Sequence, residues 1–204
     1  SPMYDTLGDR QKDYEKVYDA KMMRRVPVVC RINGIGFGRL CRKIKKPYSP
    51  IFLEAMAKTM LGVVQNISGA VFAYQQSDEI TFIIRNDQTL ESTPWYDNRV
   101  QKIATAVASK ATRIFNKTID NLDEKLDLVD DAEFEGRAFT LPTISEAVNY
   151  FIWRQQDCIR NAISVTSQTL LARKFGKKAG LKMLYTKSAK DKLQLMQEAN
   201  RIFD

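Results

Sequence analysis

The chain has 204 residues, with 32 Lys and Arg against 24 Asp and Glu, a net charge of +8 and no histidine. Without imidazole, Ser-His-Asp and Cys-His nucleophile systems, a histidine general base and His-containing metal sites are excluded, so any chemistry rests on carboxylates, Lys, Arg, hydroxyls, thiols or bound ions. A composition of 44% hydrophobic and 27% charged residues, at this length, is that of an ordinary globular chain with one sizeable core.

In chain order, Ser1-Pro2 before Met3 reads as a remnant of tag removal and is set aside. Asp9 to Met23 is a charged segment read as helix. Val26 to Ile32 is apolar and β-branched, a strand with Pro27 tolerated at its start. It runs into the glycine-rich turn Asn33-Gly-Ile-Gly-Phe-Gly38, where backbone can approach a ligand. Lys43 to Pro50 is a basic loop. Ile51 to Gln65 is an amphipathic helix with Phe52, Met56, Met60, Val63 and Val64 on one face. Ala70–Tyr74 and Ile80–Ile84 are two strands around the hairpin Gln75-Gln-Ser-Asp-Glu79. Asp97 to Phe115 carries a continuous apolar stripe at helical period. Residues 118–133 are an acidic connection, Glu135 to Leu141 a strand stopped by Pro142, and Thr143 the N-cap of a long helix to Arg173 with Glu146 in capping-box position. Residues 174–192 are basic, and a short helix closes the chain. The order β, α, β, β, α, β, α is an α+β fold of ferredoxin-like, split-βαβ type with a C-terminal helical extension from 175 to 204, read as a single domain.

Cys30, Cys41 and Cys158 are odd in number and lack CxxC spacing, which reads as reduced thiols. No signal-peptide pattern and no apolar run near ~18 residues is present, so the expectation is a cytoplasmic protein without a membrane partner. The charge is uneven. Lys21 to Lys46 holds nine basic residues and no acid, and Phe151 to Asp204 holds eleven against four, whereas Asp120 to Glu135 holds eight acids and only Lys125. Two positive surfaces for a polyanion, with the acidic stretch facing away, is the expected arrangement.

In a split-βαβ sheet the first strand and the central hairpin are neighbours, so Asn33-Gly34 and Ser77-Asp78-Glu79 converge at one sheet edge. Acids so placed are what a pair of Mg²⁺ ions needs for nucleotidyl transfer, and magnesium takes hard oxygen ligands without histidine. A dinucleotide-binding reading of Ile32 to Arg39 fails because Cys41 stands where the GxGxxG fingerprint needs glycine or alanine.

Six blocks in order, Val29–Phe37, Lys46-Pro47, Ala73–Phe82, Arg99–Ser109, Phe134–Phe139 and Tyr150–Asp157, resemble the tRNA-histidine guanylyltransferase family over residues 20–185. Cys158-Ile-Arg-Asn-Ala-Ile-Ser164 stands where eukaryotic members carry His-Ile-Asn-Asn-Leu-Tyr-Asn, which resembles the guanylyltransferase-like proteins of bacteria, archaea and phages. The resemblance implies a polymerase-palm domain that adds nucleotides to the 5′ end of tRNA in the 3′-to-5′ direction, with two Mg²⁺, GTP or another nucleoside triphosphate and ATP as substrates, and a homotetramer. It implies Asn33, Gly34 and Asp78 as metal ligands and Asn33, Asp78 and Glu79 as catalytic positions. It also implies Gly36, Phe37, Lys46, Ser77, Arg99, Lys102 and Ser109 at nucleotide or triphosphate, and Arg154, Asp157, Arg160 and Asn161 at RNA. Phe151 and Trp153 read as core. One departure stands out: the family has Asp where this chain has Asn33, so one negative charge is lost. A palm-fold protein that binds tRNA or nucleotide without efficient catalysis is the alternative.

Overall fold

In a computed structural model, which describes residues 6–44 and 49–203, the sheet is built around β1 (Val28–Gly34). Val28, Val29, Cys30 and Ile32 are buried in succession, which requires cover on both faces. The sheet order is β2 (Ala70–Gln76), β3 (Glu79–Ile84), β1, β4 (Phe134–Thr140), with each neighbouring pair antiparallel. This is the split-βαβ arrangement expected from the element order. Helices α3 (Pro50–Val64) and α4 (Val100–Asp120) pack on one face, joining Cys30, Ile32, Ile80 and Phe82 to Met56, Ile103, Val107 and Phe115. Helix α5 (Ile144–Phe175) crosses the other face, where Ala147 meets Val29 and Ile83. Thr143 caps it, its hydroxyl accepting the Glu146 N–H at 3.1 Å.

Several boundaries differ from those expected, each for a local reason. Helix α1 is Leu7–Lys16 and stops before Met23, because the backbone that follows is used elsewhere: the Met22 N–H donates to Asn98 O and the Val100 N–H to Ala20 O. Helix α4 starts at Val100 and not Asp97, because Tyr96, Asp97 and Asn98 have φ of 47°, 52° and 53°. Asp97 holds this left-handed turn through Lys21 and Arg24, and the Asn98 amide donates to Met23 O. The hairpin loop is only Ser77-Asp78, since Gln75 and Gln76 continue the ladder opposite Ile80 and Glu79. The turn after β1 contains a short helix, α2 (Phe37–Leu40), entered through Gly36 at φ 62°.

The acidic connection does not face away from the first loop. The Ile35 N–H donates to Glu133 O and the Val129 N–H to Leu40 O, which docks residues 129–133 against the turn after β1. Beyond Gly176, the basic region forms two helices, α6 (Lys177–Leu184) and α7 (Ala189–Phe203), and not one short one. Leu184 and Ala199 close against Leu171 of α5. No helix among the described residues is long and apolar enough to cross a membrane.

The tightest link between fold and site is Gly34. A Cβ there would fall within the ring of Phe37, which is itself buried among Phe52, Phe115 and Phe134. Gly34→Ala is expected to destabilise the chain by about 1–3 kcal/mol, the cost of overpacking a filled core. Urea denaturation measures it, and an unchanged midpoint would contradict the packing described.

Candidate active site

The C-terminal end of β1 and the β2–β3 loop meet as the topology requires. Asn33 lies opposite Glu79, and the Gly34 N–H donates to Asp78 O at 3.0 Å. The loop is tight, with Ser77 at φ 48°, and it carries Asp78 at the mouth of a cleft of about 420 Å³. One wall of the cleft is apolar, from Phe37, Ile44, Phe52 and Leu53. The other is polar, from Gln76 to Glu79 and from Arg154, Asp157 and Asn161 of α5. An apolar pocket with a few convergent polar groups is the usual form of a small-ligand site.

The two hairpin acids have different surroundings. Glu79 is buried and fully engaged: its Oε2 accepts from Arg154 Nε at 3.0 Å and from Gln76 Nε2 at 2.8 Å. Arg154 is also buried, stacks over the Trp153 ring at 4.3 Å, and donates to Asp157 Oδ2 at 2.6 Å. Asp157 in turn accepts from Arg160 at 3.4 Å and Asn161 at 3.5 Å. Asp78 makes no ion pair among the described residues. Burial is the main force that pushes its carboxyl above the ordinary carboxylate range; the charge of Glu79 adds to this and its own backbone N–H partly opposes it. Asn33 Oδ1 is buried without a hydrogen-bond partner.

These features bear on a metal. An orphaned carbonyl oxygen beside a desolvated, unpaired carboxylate suits a hard cation, and magnesium needs only one or two protein carboxylates when substrate phosphates complete its shell. Among the described residues no group of three or more acids or cysteines could hold a metal by itself. The donor set therefore fits magnesium that arrives with a nucleotide, held by Asp78, Asn33 and Gly34.

Residues 8–142 match the family model described as Thg1: tRNAHis guanylyltransferase. The chain belongs to the tRNA(His) guanylyltransferase family. A protein of Acanthamoeba polyphaga mimivirus is 31% identical over 179 residues, covering 78% of this chain and 61% of that one. A probable tRNA(His) guanylyltransferase of Homo sapiens is 30% identical, covering 75% and 51%. The chain thus spans about three-fifths or less of these relatives' length. A bacterial guanylyltransferase-like protein solved in complex with GTP superposes at TM-score 0.75, with 42% identity over 80% of this chain and 76% of that one. A bacterial structure in complex with ATP superposes at 0.78, with 38% identity over 90% and 77%. The Saccharomyces cerevisiae enzyme, at 22% identity and TM-score 0.77, shares the fold, covering 91% and 83%. The palm-like α+β fold is therefore shown.

Not every residue singled out from the family motifs lies at the cleft. Phe37, Ser77, Asp78 and Glu79 gather there with Arg154, Asp157 and Asn161, and Gly36 turns the chain into α2. Asn33 and Gly34 do not line the cleft; they adjoin it at the end of β1, across the ladder from Glu79 and bonded to Asp78. Arg160 does not line it and pairs with Asp157. Arg99 and Lys102 do not line it either. They sit at the start of α4, beyond the Ile84 end of β3, whereas Asn33 and Asp78 sit at the Glu79 end. Arg99 Nε is held by Asp19 at 3.0 Å, and Lys102 lies 4.9 Å from the Tyr96 ring centroid. Ser109 is exposed on α4 and does not line the cleft. Lys46 lies outside the described residues. Trp153 is not core: it is 46% exposed, while Phe151 packs edge-on against Phe72.

None of the three cysteines forms a disulfide. Cys30 is sealed under the helices and its thiol is pushed up to about 12 by burial, whereas Cys41 and Cys158 line the cleft. No spacing motif places Cys41 and Cys158 at the cleft.

Two outcomes test this geometry. Arg154→Met leaves the buried Glu79 carboxylate unpaired and should cost about 3–5 kcal/mol of stability, most of it recovered when Glu79→Gln is added. Equal stability of the single and double variants in urea would contradict the pairing. Because folding raises the Asp78 pKa, it favours the protonated form, so ionised Asp78 burdens the fold at neutral pH. Asp78→Asn should therefore melt higher than the parent at pH 7, and the difference should vanish below the unfolded-state pKa of about 3.9. A parent that melts as high as the variant at pH 7 would contradict it.

Proposed function

We propose that the chain is a 3′-to-5′ nucleotidyltransferase that adds a nucleotide to the 5′ end of tRNA. The observation that carries the reading is Asp78 on the lining of a half-apolar cleft, with the unsatisfied Asn33 carbonyl on the adjoining end of β1. Family membership and the two similar structures solved with GTP and with ATP support it.

In this reading the base lies against Phe37, Phe52 and Leu53, and the triphosphate lies toward Ser77 and Asp78. The 3′-hydroxyl of the nucleoside triphosphate attacks the 5′ phosphorus of the RNA, itself activated as a triphosphate or by adenylylation. The new O–P bond forms as the bond to pyrophosphate or AMP breaks, and the hydroxyl proton leaves to solvent. Two magnesium ions, when bound, would neutralise charge on the attacking and leaving oxygens. Asp78 supplies a carboxylate without an ion pair, and Asn33 and Gly34 supply neutral oxygens from the adjoining end of β1. Glu79 acts from within its ion pair by fixing the hairpin on which Asp78 rides. Arg154 is then a positioning residue for Glu79, while Asn161 on the cleft lining and the exposed Arg160 beside Asp157 are left for RNA. The homotetramer and a cytoplasmic setting belong to the same proposal. The exposed apolar face of Val71, Phe72, Ile144, Val148 and Ile152 gives assembly a surface.

A second reading, RNA or nucleotide binding without efficient catalysis, is favoured by Asn33, which leaves Asp78 as the carboxylate of the pair without an ion-pair partner among the described residues. Incubation with 5′-truncated tRNA, labelled GTP and Mg²⁺ separates the two: incorporation supports transfer, and tight RNA binding without incorporation supports the second reading. Asn33→Asp should strengthen Mg²⁺ binding and raise incorporation by tenfold or more, since it restores a charge at the site of developing charge, where one electrostatic group is worth about 10²–10³ in rate. No gain in either quantity would remove the site assignment.

A further inference from the structure

On the face of the sheet that α5 covers, β1 presents Arg31 two residues before Asn33, about 7 Å along the strand. Arg31 lies directly opposite Thr81 on β3 and Arg137 on β4, so the three side chains share that face. Arg31 Nε and Thr81 Oγ1 are both buried without a hydrogen-bond partner, and Arg31 makes no ion pair among the described residues. Among the described residues Arg137 pairs with Glu135 alone, at 3.8 Å, and is half exposed. Two arginines thus face each other across a strand pair, where like charges are unfavourable, and among the described residues only the long Glu135 contact to Arg137 offsets them. Beside them is Trp153. Its ring is fixed by Tyr150, edge-on at 5.3 Å, and by the cations of Arg154 and, at 6.0 Å, Arg31, yet nearly half its surface is open. A large fixed aromatic surface next to unmet guanidinium donors is the combination that takes a base and its phosphates.

We infer that this strip between α5 and β4 holds the 5′ end of the RNA acceptor, with a base stacked on Trp153 and phosphates on Arg31 and Arg137. The inference rests on the proposed transfer activity and deepens it. Neither Trp153, Arg31 nor Arg137 lines the cleft of Phe37, Phe52 and Asp78, so acceptor and nucleotide approach the Asn33–Asp78 pair from different sides. An RNA strand and not a free nucleotide is favoured, because the apolar cleft already accommodates one base.

Fluorescence anisotropy with a 3′-labelled, 5′-truncated tRNA tests this, with GTP binding measured in parallel. Trp153→Ala should weaken RNA binding about tenfold, near the lower part of the range for one base–aromatic stack. Trp153→Phe, which keeps a ring, should stay within about threefold of the parent, and GTP affinity should be unchanged in both. Arg137→Gln should lower the slope of log affinity against log salt by about one. If the parent binds and extends the tRNA while Trp153→Ala binds it equally well, this inference fails and the transfer activity stands. Equal loss of GTP and RNA binding would overturn it in favour of a nucleotide subsite, and equal loss in Trp153→Ala and Trp153→Phe would overturn the stack. A parent that neither binds nor extends tRNA removes both readings.

Discussion

Arg154 descends from α5 to Glu79 at the first residue of β3, and the pair is sealed from solvent between the helix and the sheet. Its consequence is positional. Glu79 is the residue after Asp78, so whatever fixes Glu79 fixes the two-residue loop before it. Asn33, directly across from Glu79, is registered by the same ladder. Burying two charges is expensive, and such a pair is weak evidence of stability; what it gives here is a single placement for a carboxylate that has no partner of its own.

That placement explains the unequal roles of the two hairpin acids. Glu79 is neutralised within the fold, whereas Asp78 is desolvated and unpaired, with its pKa raised. An unpaired desolvated carboxylate beside an orphaned amide oxygen is held in an unfavourable state until a cation or proton answers it. The strain is local, and the surrounding packing supports it: Phe37 closes under Gly34, and Ile32, Ile80 and Phe82 fill the layer beneath. In the proposed activity Asn33 offers a neutral oxygen where an aspartate would add a charge, and the Asn33→Asp variant reads what that charge is worth.

The convergence of Asn33 and Asp78 was legible in the sequence, because element order dictates that the first strand and the central hairpin are neighbours. Helix α5 was legible from Thr143 and Glu146. The identity of the partners across the sheet was not. Arg154 is expected at RNA from the family motif, and nothing local shows its pairing with Glu79, 75 residues away; Trp153 reads as core because hydrophobicity does not say which side of a helix is left open. Arg99 and Lys102 share a helix face at i, i+3 spacing, but spacing does not say at which end of the sheet that face lies. The left-handed turn at Tyr96–Asn98 shortened α4 through ion pairs to Lys21 and Arg24, which no local propensity encodes. The acids of 120–135 were counted correctly, yet their docking on the first loop depends on backbone bonds at Ile35 and Val129.

The central claim is that Asp78 and Asn33 together receive the cation that accompanies a nucleotide, with Glu79 left in its pair. Crystals of the protein grown with GTP and Mn²⁺, measured at the manganese absorption edge, test this directly. An anomalous peak bonded to Asp78 and to the Asn33 carbonyl is expected, with Arg154 still on Glu79. A nucleotide bound in the cleft with its metal elsewhere, or with Glu79 withdrawn from Arg154 to hold it, would contradict the account.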